Sequence, residues 1–354
     1  MNVLIATGGS GGHIFPAIET AKALKTRGHT VTFAGVLGLG EEKIKALGYP
    51  LYSLVARGLN DRSFKGWLSF GIIMFKAVFH AFDVIKKSSP DIIIGFGGYG
   101  AFPVVMAGVL MRLPTMIHEQ NVVPGRANVL LSKIVKKVAI SFEGSRKYFN
   151  RAKTVWTGCP CQHNVGTSQS EALAVFGLAE GKKTLLLLGG SQGAVKLNEI
   201  FFKLMQGLSL INFQAIHMTG KKDYSFYEKS YSETNLPVKV YAFINDMSQA
   251  YAAADIVITR AGAATISELG ILGLPAILIP YPFAGNHQKH NADVLGACGA
   301  GIVIEQKDLT DRSLKKAVDR ILNGDFLREN LRMRANGLFQ KDAALQLALV
   351  AEGL

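Results

Sequence analysis

The sequence contains few cysteines and lacks the marks of several common protein classes. Cys159, Cys161 and Cys298 are too few for a disulfide framework, and Cys-Pro-Cys lacks the second ligand pair of a zinc site. No long basic arm and no zinc-finger spacing is present, which argues against nucleic acid. The N-terminus has neither a basic segment nor a small-residue cleavage site, so we expect a reduced, cytoplasmic protein.

Acidic residues are also scarce relative to basic ones. The 354 residues include 39 Lys and Arg against 26 Asp and Glu, a formal net charge of +13. Such a balance favours an anionic partner, either nucleic acid, acidic lipid or a phosphorylated substrate. Because the basic residues are scattered or paired, the charge alone does not choose among these partners.

Two glycine-rich turns occupy matching places in the two halves of the chain. Gly-Gly-Ser-Gly-Gly-His at residues 8–13 follows an apolar run over 3–6, and Gly-Gly-Ser-Gln-Gly-Ala at 189–194 follows another over 185–188. Glycines at such turns let backbone amides approach an anion at the N-terminus of the next helix. Each turn is either a phosphate-binding loop or only a tight strand-to-helix connection. The duplication favours a phosphorylated ligand.

Short apolar runs alternate with helical patterns, which is typical of parallel sheets with helices on both faces. The first half contains strand candidates at 3–6, 30–34, 51–55, 92–95, 115–118 and 138–141. The second half contains them at 185–188, 214–218, 239–243, 256–259, 276–279 and 301–304. We therefore predict an α/β protein with two Rossmann-like domains, over residues 1–157 and 158–339, and a C-terminal helix over 340–354 packed on the first.

The segment 67–87 is unusually rich in apolar and aromatic residues. Lys76, His80 and Asp83 interrupt it, whereas a bilayer-spanning helix needs about 20 mostly apolar residues without such breaks. We therefore do not expect it to cross a membrane. Its pattern fits either a helix that faces the domain core or one that lies in a membrane interface.

The glycine-rich turns do not indicate a nicotinamide site. Such a site needs an acidic residue about 20 residues after the glycines, and the strand candidates at 30–34 and 214–218 end without one. A further turn, Arg-Ala-Gly-Ala-Ala-Thr-Ile-Ser-Glu at 260–268, offers exposed amides and the cation of Arg260 to a diphosphate. Glu268 either accepts from ribose hydroxyls or complements the helix dipole.

Six motifs follow one another in a fixed order along the chain. They are the turn at 8–13, Gly97-Gly98-Tyr99, His118-Glu119-Gln120-Asn121 with Pro124-Gly125, the turn at 189–194, Phe243-Ile244-Asn245-Asp246-Met247, and the turn at 262–268. This set resembles the MurG family, the peptidoglycan N-acetylglucosaminyltransferases that convert lipid I to lipid II. The likeness covers nearly the whole chain. It implies a GT-B fold, in which two Rossmann-like domains face each other across a cleft.

The resemblance also implies roles for individual residues. His13 is the implied general base, and Ser10, Gly11 and Gly12 would face the donor and the acceptor diphosphate. Arg260 would help to stabilise the leaving diphosphate. The other implied contacts are Asn121 and Gln288 to the sugar, Ile244 to the uracil, and Ser191 with Ala263, Ala264, Thr265, Ile266, Ser267 and Glu268 to the diphosphate and ribose.

The implied reaction is an inverting transfer from UDP-N-acetylglucosamine. The muramyl 4-hydroxyl of lipid I would attack the anomeric carbon, and UDP would leave. Histidine suits a base that works near neutral pH, although His13 could instead only hydrogen-bond the substrate. No Asp-x-Asp pair occurs in the sequence, so we expect no essential metal and no cofactor.

Two departures from the family pattern affect the donor site. Gly-Cys-Pro-Cys-Gln at 158–162 stands where the family usually shows Gly-Asn-Pro-Val-Arg, and Gln162 cannot supply the charge of that arginine. Either Arg260 or a nearby lysine compensates, or the affinity for the donor is reduced. The familiar pair of glutamines appears as His287-Gln288, so only Gln288 is carried over.

A lipid-linked acceptor changes the interpretation of segment 67–87. An aromatic helix in a basic protein suits peripheral binding to the anionic inner surface of the cell membrane, and we favour this location. Two other functions remain open. One is a related glycosyltransferase that acts on a diacylglycerol, and the other is a non-catalytic UDP-sugar-binding protein.

Overall fold

The computed structural model describes residues 1–38, 40–56, 63–162, 166–189, 194–208, 212–282, 285–324, 331, 333–335 and 337–354. The chain forms two compact units. The N-terminal unit comprises Met1–Cys161 and Phe339–Leu354, and the C-terminal unit comprises Gln162–Leu338. The division therefore falls after Cys161, slightly beyond the boundary expected from the sequence, and the end of the chain returns to the N-terminal unit.

The N-terminal unit is built on a parallel sheet. Among the described residues its strands are β1 (Asn2–Gly8), β2 (Thr30–Val36), β3 (Leu51–Ser53), β4 (Ile92–Gly95), β5 (Thr115–Glu119), β6 (Lys137–Ile140) and β7 (Thr154–Trp156). Their order across the sheet is β3-β2-β1-β4-β5-β6-β7. The order reverses between β1 and β4, and ligands of open α/β sheets bind outside the carboxyl ends of the strands at such a point.

The C-terminal unit repeats this arrangement. Its described strands are β8 (Lys183–Leu188), β9 (Phe213–Met218), β10 (Val238–Tyr241), β11 (Ile256–Thr259), β12 (Ala276–Leu278) and β13 (Gly301–Val303). They are parallel, in the order β10-β9-β8-β11-β12-β13, with the reversal between β8 and β11. The prediction of two Rossmann-like α/β domains is confirmed.

Aliphatic runs explain why these strands lie at the centre of each unit. Ile92, Ile93 and Ile94 of β4 are all buried, although successive side chains point to opposite faces of the sheet. Leu185 to Leu188 of β8 are buried in the same way. A strand covered by helices on both faces needs continuous apolar residues, and these runs provide them.

Helices cover both sheets, and the last helix joins the N-terminal unit. The described α-helices are α1 (Gly11–Thr26), α2 (Gly40–Ala46), α3 (Phe64–Ser88), α4 (Gly98–Leu110), α5 (Arg126–Leu131), α6 (Gln169–Phe176), α7 (Val195–Gly207), α8 (Tyr224–Glu233), α9 (Met247–Ala253), α10 (Ala263–Leu272), α11 (His287–Ala297), α12 (Asp311–Leu322) and α13 (Ala343–Glu352). Leu347 and Ala348 of α13 are buried in the core that α1 shares. Glu352 accepts hydrogen bonds from Arg27 at 2.5 and 2.6 Å and contacts His29 Nε2 at 2.7 Å. These contacts fasten the chain end beside β2.

Helix α3 has a buried face and an exposed apolar face. Ala81, Val84 and Ile85 lie in the core that α4 shares, so the helix packs against the domain through this face. The opposite face exposes Leu68, Ile72, Phe75 and Phe79. By length and composition alone, Leu68–Ser88 is also apolar enough to cross a membrane, despite Lys76 and Asp83. Interruption by charge is therefore a weaker argument against a span than is the packing of α3 on its own domain.

Candidate active site

The first glycine-rich turn of the N-terminal unit joins β1 to α1. A side chain at Gly8 would lie 2.6 Å from the carbonyl oxygen of Val36, and Gly9 has a φ of +88°, so neither position accepts a larger residue without strain. Ser10 is the N-cap of α1, and its backbone carbonyl oxygen accepts hydrogen bonds from the N–H groups of residues 13 and 14. The first amides of α1, at residues 11 and 12, consequently have no partner within the helix. This end of α1 suits an anion.

His13 lies in the first turn of α1 and is half-buried. Its ring lies beside the Gly97-Gly98 turn at the end of β4, where a side chain on either glycine would lie 3.2–3.4 Å from ring atoms. Nδ1 is 2.9 Å from Gln120 Oε1, and among the described residues Nε2 has no hydrogen-bond partner. The ring is thus held from one side and open at the other nitrogen, as a proton acceptor requires.

The motif at 118–121 places side chains beside the His13 ring and against the loop that follows β5. Glu119 is 1% exposed, and its oxygens accept from the backbone of Asn121 and Gly125 at 2.8 and 3.0 Å and from Asn128 Nδ2 at 2.8 Å. A fourth bond comes from the side chain of Asn121 at 3.2 Å. Four donors satisfy the buried carboxylate and fix the position of Asn121.

The residues expected at the diphosphate lie at the start of α10 in the C-terminal unit. Gly262 is the N-cap, and the amide of Ile266 is the first that bonds within the helix. The amides of Ala263, Ala264 and Thr265 therefore have no acceptor inside α10. Ala263, Ile266 and Ser267 are buried, so only main-chain atoms of these residues could reach a ligand. Ser191, the other residue expected at the diphosphate, lies outside the described residues.

Glu268 and Ile244 differ in how much of their side chains a ligand could reach. Glu268 is half-buried, and the hydroxyl of Tyr251 donates to its Oε2 at 2.7 Å. This bond orients the carboxylate. Ile244 is only 6% exposed, so little of this residue is accessible to a base.

Arg260 is largely engaged by the protein itself. Its Nη1 donates to the carbonyl of Ile279 at 3.1 Å and its Nη2 to Gln306 Oε1 at 2.7 Å, and the guanidinium lies over the Tyr281 ring. Burial lowers the pKa of this guanidinium below its usual value. The side chain that the sequence suggested as a bidentate partner of the diphosphate thus ties together the ends of β11 and β12. Only its other N–H groups could face a ligand.

Gln288 is oriented by two backbone amides. Its Oε1 accepts from Ala261 at 3.2 Å and from Tyr281 at 2.9 Å. Because a backbone N–H can only donate, these bonds fix the amide oxygen inward and leave the NH₂ group to donate outward. Gln288, Arg260 and the start of α10 are thereby gathered at the carboxyl ends of β11 and β12. Ser10 to His13 and Asn121 form a separate group at the carboxyl ends of the N-terminal strands.

Within the described part of the chain, no group of three or more His, Cys, Asp or Glu side chains is arranged to hold a metal ion. Gln162, which stands where the family arginine is expected, is exposed at the start of the C-terminal unit.

Comparisons with known proteins place this chain. The model of the glycosyltransferase family 28 N-terminal domain matches residues 3–140, and that of the C-terminal domain matches residues 184–347. A UDP-N-acetylglucosamine–N-acetylmuramyl-(pentapeptide) pyrophosphoryl-undecaprenol N-acetylglucosamine transferase of Thermodesulfovibrio yellowstonii is 38% identical over 100% of this chain and 99% of its own length. The chain belongs to this MurG family of glycosyltransferases. The enzyme of the same name from Bacillus licheniformis is 36% identical, with the same coverage.

Solved structures agree with membership of the MurG family. The crystal structure of Acinetobacter baumannii MurG has a TM-score of 0.77 and 28% identity, with 99% of each chain covered. The calicheamicin glycosyltransferase CalG4, at 15% identity and a TM-score of 0.71, shares the fold alone. The expected GT-B fold and the expected glycosyltransferase class are confirmed.

Sequence reasoning identified the family motifs but missed several side chains that position them. Gln120, His118 and Glu119 were recognised only as members of a motif, and no role was predicted for Tyr251. The one available signal was the polar run at 118–121, which spans the carboxyl end of β5, since polar side chains at a strand's carboxyl end commonly face a site.

Proposed function

We propose that the protein transfers N-acetylglucosamine from UDP-N-acetylglucosamine to the muramyl 4-hydroxyl of lipid I, giving lipid II. The observation that carries the proposal is full-length similarity of 34–38% to enzymes named for this transfer. A half-buried histidine open at one nitrogen and two uncompensated helix N-termini support it. Full-length similarity also favours this acceptor over a diacylglycerol.

His13 is the proposed general base. As the bond between the acceptor oxygen and the anomeric carbon forms, the bond from that carbon to the UDP oxygen breaks. The O–H bond of the muramyl hydroxyl breaks as well, and its proton binds Nε2 of His13. The amides of Gly11 and Gly12, with Ser10, are proposed to bind diphosphate at the start of α1.

The C-terminal unit is proposed to bind the donor. Amides of residues 263–265 stabilise the negative charge that grows on the departing diphosphate, with Ser191 expected beside them. Glu268 accepts from the ribose hydroxyls in the orientation set by Tyr251, and the main chain of Ile244 contacts the uracil. Gln288 donates to the sugar, and Asn121 is assigned to the sugar as well. Arg260 acts mainly by holding the loop, since its Nη atoms are engaged.

The transfer is proposed to be inverting and to need no metal. The test is transfer of radiolabelled N-acetylglucosamine from its UDP donor to a lipid I analogue, in EDTA and in added Mg²⁺, with analysis of the anomeric configuration of the product. We expect equal rates under both conditions and a β-linked product from the α-linked donor. UDP-sugar binding without transfer would instead indicate a binding protein, and transfer only to diacylglycerol would indicate the related glycosyltransferase.

The exposed face of α3 is proposed to bind the anionic membrane surface. Leu68, Ile72, Phe75 and Phe79 lie one to two turns apart on this face, and Lys76 is exposed beside them. Aromatic side chains enter the interface while basic ones attract anionic headgroups. Since the opposite face of α3 is buried in its domain, the helix lies on the membrane in this proposal.

Loss of two aromatic rings should weaken this membrane binding. We expect Phe75→Ser/Phe79→Ser to lower the affinity for phosphatidylglycerol vesicles roughly tenfold to a hundredfold, because two partly inserted rings are removed. Thermal stability should change little, since the two rings are 64% and 56% exposed. Vesicle sedimentation measures the effect. Phe226→Ser, which changes an equally exposed ring of the C-terminal unit, is the control, and equal binding by the double variant and the wild type would refute the assignment of this face.

A further inference from the structure

A chain of hydrogen bonds runs from His13 into the interior of the N-terminal unit. It passes from His13 to Gln120, from Gln120 to His118, and from His118 to the carbonyl oxygen of Gly158. We propose that Gln120 and His118 are positioning residues that hold the proton of the His13 ring on Nδ1 and so keep Nε2 as the proton acceptor. The statement about the base rests on the proposed function, whereas the position of the proton does not.

The donors and acceptors along this series of hydrogen bonds are determined at its buried end, at His118. His118 is fully buried, and its Nε2 lies 2.9 Å from the Gly158 carbonyl oxygen. A carbonyl oxygen can only accept, so Nε2 of His118 carries a hydrogen. Burial lowers the pKa of His118 to about 4, which keeps the ring neutral at pH 7. Its Nδ1 therefore presents a lone pair to Gln120.

The orientation of the Gln120 amide follows from two acceptors. Its Nε2 lies 3.0 Å from His118 Nδ1 and 3.1 Å from the His118 carbonyl oxygen. A rotated amide would place its oxygen against the lone pair of His118 Nδ1 and leave both atoms without a donor, in a site where Gln120 is 1% exposed. The NH₂ group therefore faces inward, and Oε1 faces His13.

The outer end of the chain sets the state of His13. Gln120 Oε1 lies 2.9 Å from His13 Nδ1, and an amide oxygen can only accept, so Nδ1 carries the hydrogen. In the neutral imidazole the other nitrogen, Nε2, then holds the lone pair. The Gly97-Gly98 turn leaves room beside that nitrogen, because a side chain at Gly98 would lie 3.4 Å from Nε2.

Because Gln120 is neutral, it suits the role of holding His13 while Nε2 accepts a proton. When Nε2 binds a proton, Nδ1–H continues to donate to Gln120, so nothing in the chain has to rearrange. The ionisable neighbours do not replace Gln120. Glu119, on the same strand end, is saturated by four N–H groups, and His118 is neutral. Gln120 thus selects the tautomer without adding charge.

The position of the proton can be measured directly by ¹⁵N NMR of the histidine-labelled protein. The signals of His13 are identified as those that disappear in His13→Ala, among the 8 histidines of the chain. We expect a protonated Nδ1 and an unprotonated Nε2 in the wild type. In Gln120→Met, which keeps the volume and removes the acceptor, both tautomers should be populated. Transfer should then fall roughly tenfold to a hundredfold in kcat, the range for groups that orient a histidine from behind, with KM for the donor unchanged.

Two further variants separate positioning from stability. His118→Gln can accept from Gln120 and donate to the Gly158 carbonyl, so it should preserve the tautomer. Gln214→Met removes a buried glutamine of the C-terminal unit that bonds the backbone of Ala179, and it should lower stability without moving the His13 signals. A wild-type His13 protonated on Nε2, or a Gln120→Met spectrum identical to that of the wild type, would overturn the proposal. If His13→Ala retains transfer while the wild-type spectrum shows a protonated Nδ1, the assignment of His13 as the base is rejected and the proposal about its proton stands.

Discussion

His13→Ala should lower the kcat of N-acetylglucosamine transfer by about 10²- to 10⁴-fold, the usual contribution of a positioned general base. Most of the groups proposed to bind the donor belong to the C-terminal unit, and His13 is not among them, so the affinity for UDP-N-acetylglucosamine should remain that of the wild type. Initial rates with a lipid I analogue give the first quantity, and calorimetric titration with the nucleotide sugar gives the second. The loss arises because no other side chain described near Gln120 and the Gly97-Gly98 turn offers an open ring nitrogen.

The control for this variant is another histidine of the same unit. His29 lies just before β2, at the amino ends of the strands and away from the carboxyl ends where His13 lies, and it contacts Glu352. His29→Ala should reduce stability and leave kcat unchanged. If His13 only hydrogen-bonds the substrate, its loss will raise KM for the acceptor and leave kcat within a few-fold of the wild type. That result would place the base elsewhere.

The fold could be predicted from sequence because its signals are local. A run such as Ile92 to Ile94 is buried on both faces of a sheet, and each glycine-rich turn after such a run marks a strand-to-helix connection. The order of the strands then follows from the short, right-handed connections of the Rossmann arrangement. The paired turns therefore indicate two similar domains through short-range patterns alone.

The arrangement of the site was harder to predict because it depends on distant partners. His13 and Gln120 are separated by 107 residues, and nothing in either local sequence indicates that they meet. Arg260 appeared to be an available cation, but its partners Ile279 and Gln306 follow 19 and 46 residues later. Ile244 was assigned to the uracil by resemblance, and its local sequence does not indicate that the residue is only 6% exposed. Motifs identify residues, and tertiary packing decides which atoms of them are exposed.

The aromatic segment α3 illustrates the same limit. Its buried Ala77 and Ala81 fit the core-facing alternative, whereas the exposed Phe75 and Phe79 leave the membrane-interface alternative a prediction. A count of apolar residues does not distinguish these faces. Their spacing along the helix does, since Ala81, Val84 and Ile85 share the buried face at helical intervals.

Two buried histidines should make the protein sensitive to mild acid. Burial lowers the pKa of His118 to about 4 and that of His217, in the C-terminal unit, to about 3. An unfolded histidine titrates near 6.5, so below that pH the unfolded chain binds more protons than the folded one. Stability is thus complete above about pH 6.5 and is lost as the pH falls toward the folded values. At pH 5 each histidine should lower the free energy of unfolding by about 2 kcal/mol relative to its value above pH 6.5.

The contacts of His217 show why its protonation is resisted and how to test the prediction. Its Nδ1 lies 2.9 Å from the Tyr231 hydroxyl and its Nε2 3.1 Å from Asn198 Oδ1. Asn198 Nδ2 donates to the carbonyl of Thr219, so its oxygen faces the ring and Nε2 carries the hydrogen. Nδ1 then accepts from Tyr231, and a second proton would break that bond at a fully buried ring. Urea unfolding followed by circular dichroism should therefore show a fall of about 4 kcal/mol between pH 7.5 and 5 in the summed free energies of unfolding of the two units, about 2 kcal/mol in each.

The dependence of the free energy of unfolding on pH, rather than its value at one pH, distinguishes the titration of His217 from a general loss of stability. His217→Phe should be less stable than the wild type at pH 7.5, because Asn198 and Tyr231 lose their partner, yet its stability should fall about 2 kcal/mol less on acidification. Both tryptophans belong to the N-terminal unit, so their fluorescence follows the contribution of His118 while circular dichroism follows both units. The fluorescence slope should be the same in His217→Phe as in the wild type. If the pH dependence measured by circular dichroism is the same in His217→Phe as in the wild type, His217 is already protonated in the folded protein. Its Nδ1 would then donate to the Tyr231 hydroxyl instead of accepting from it.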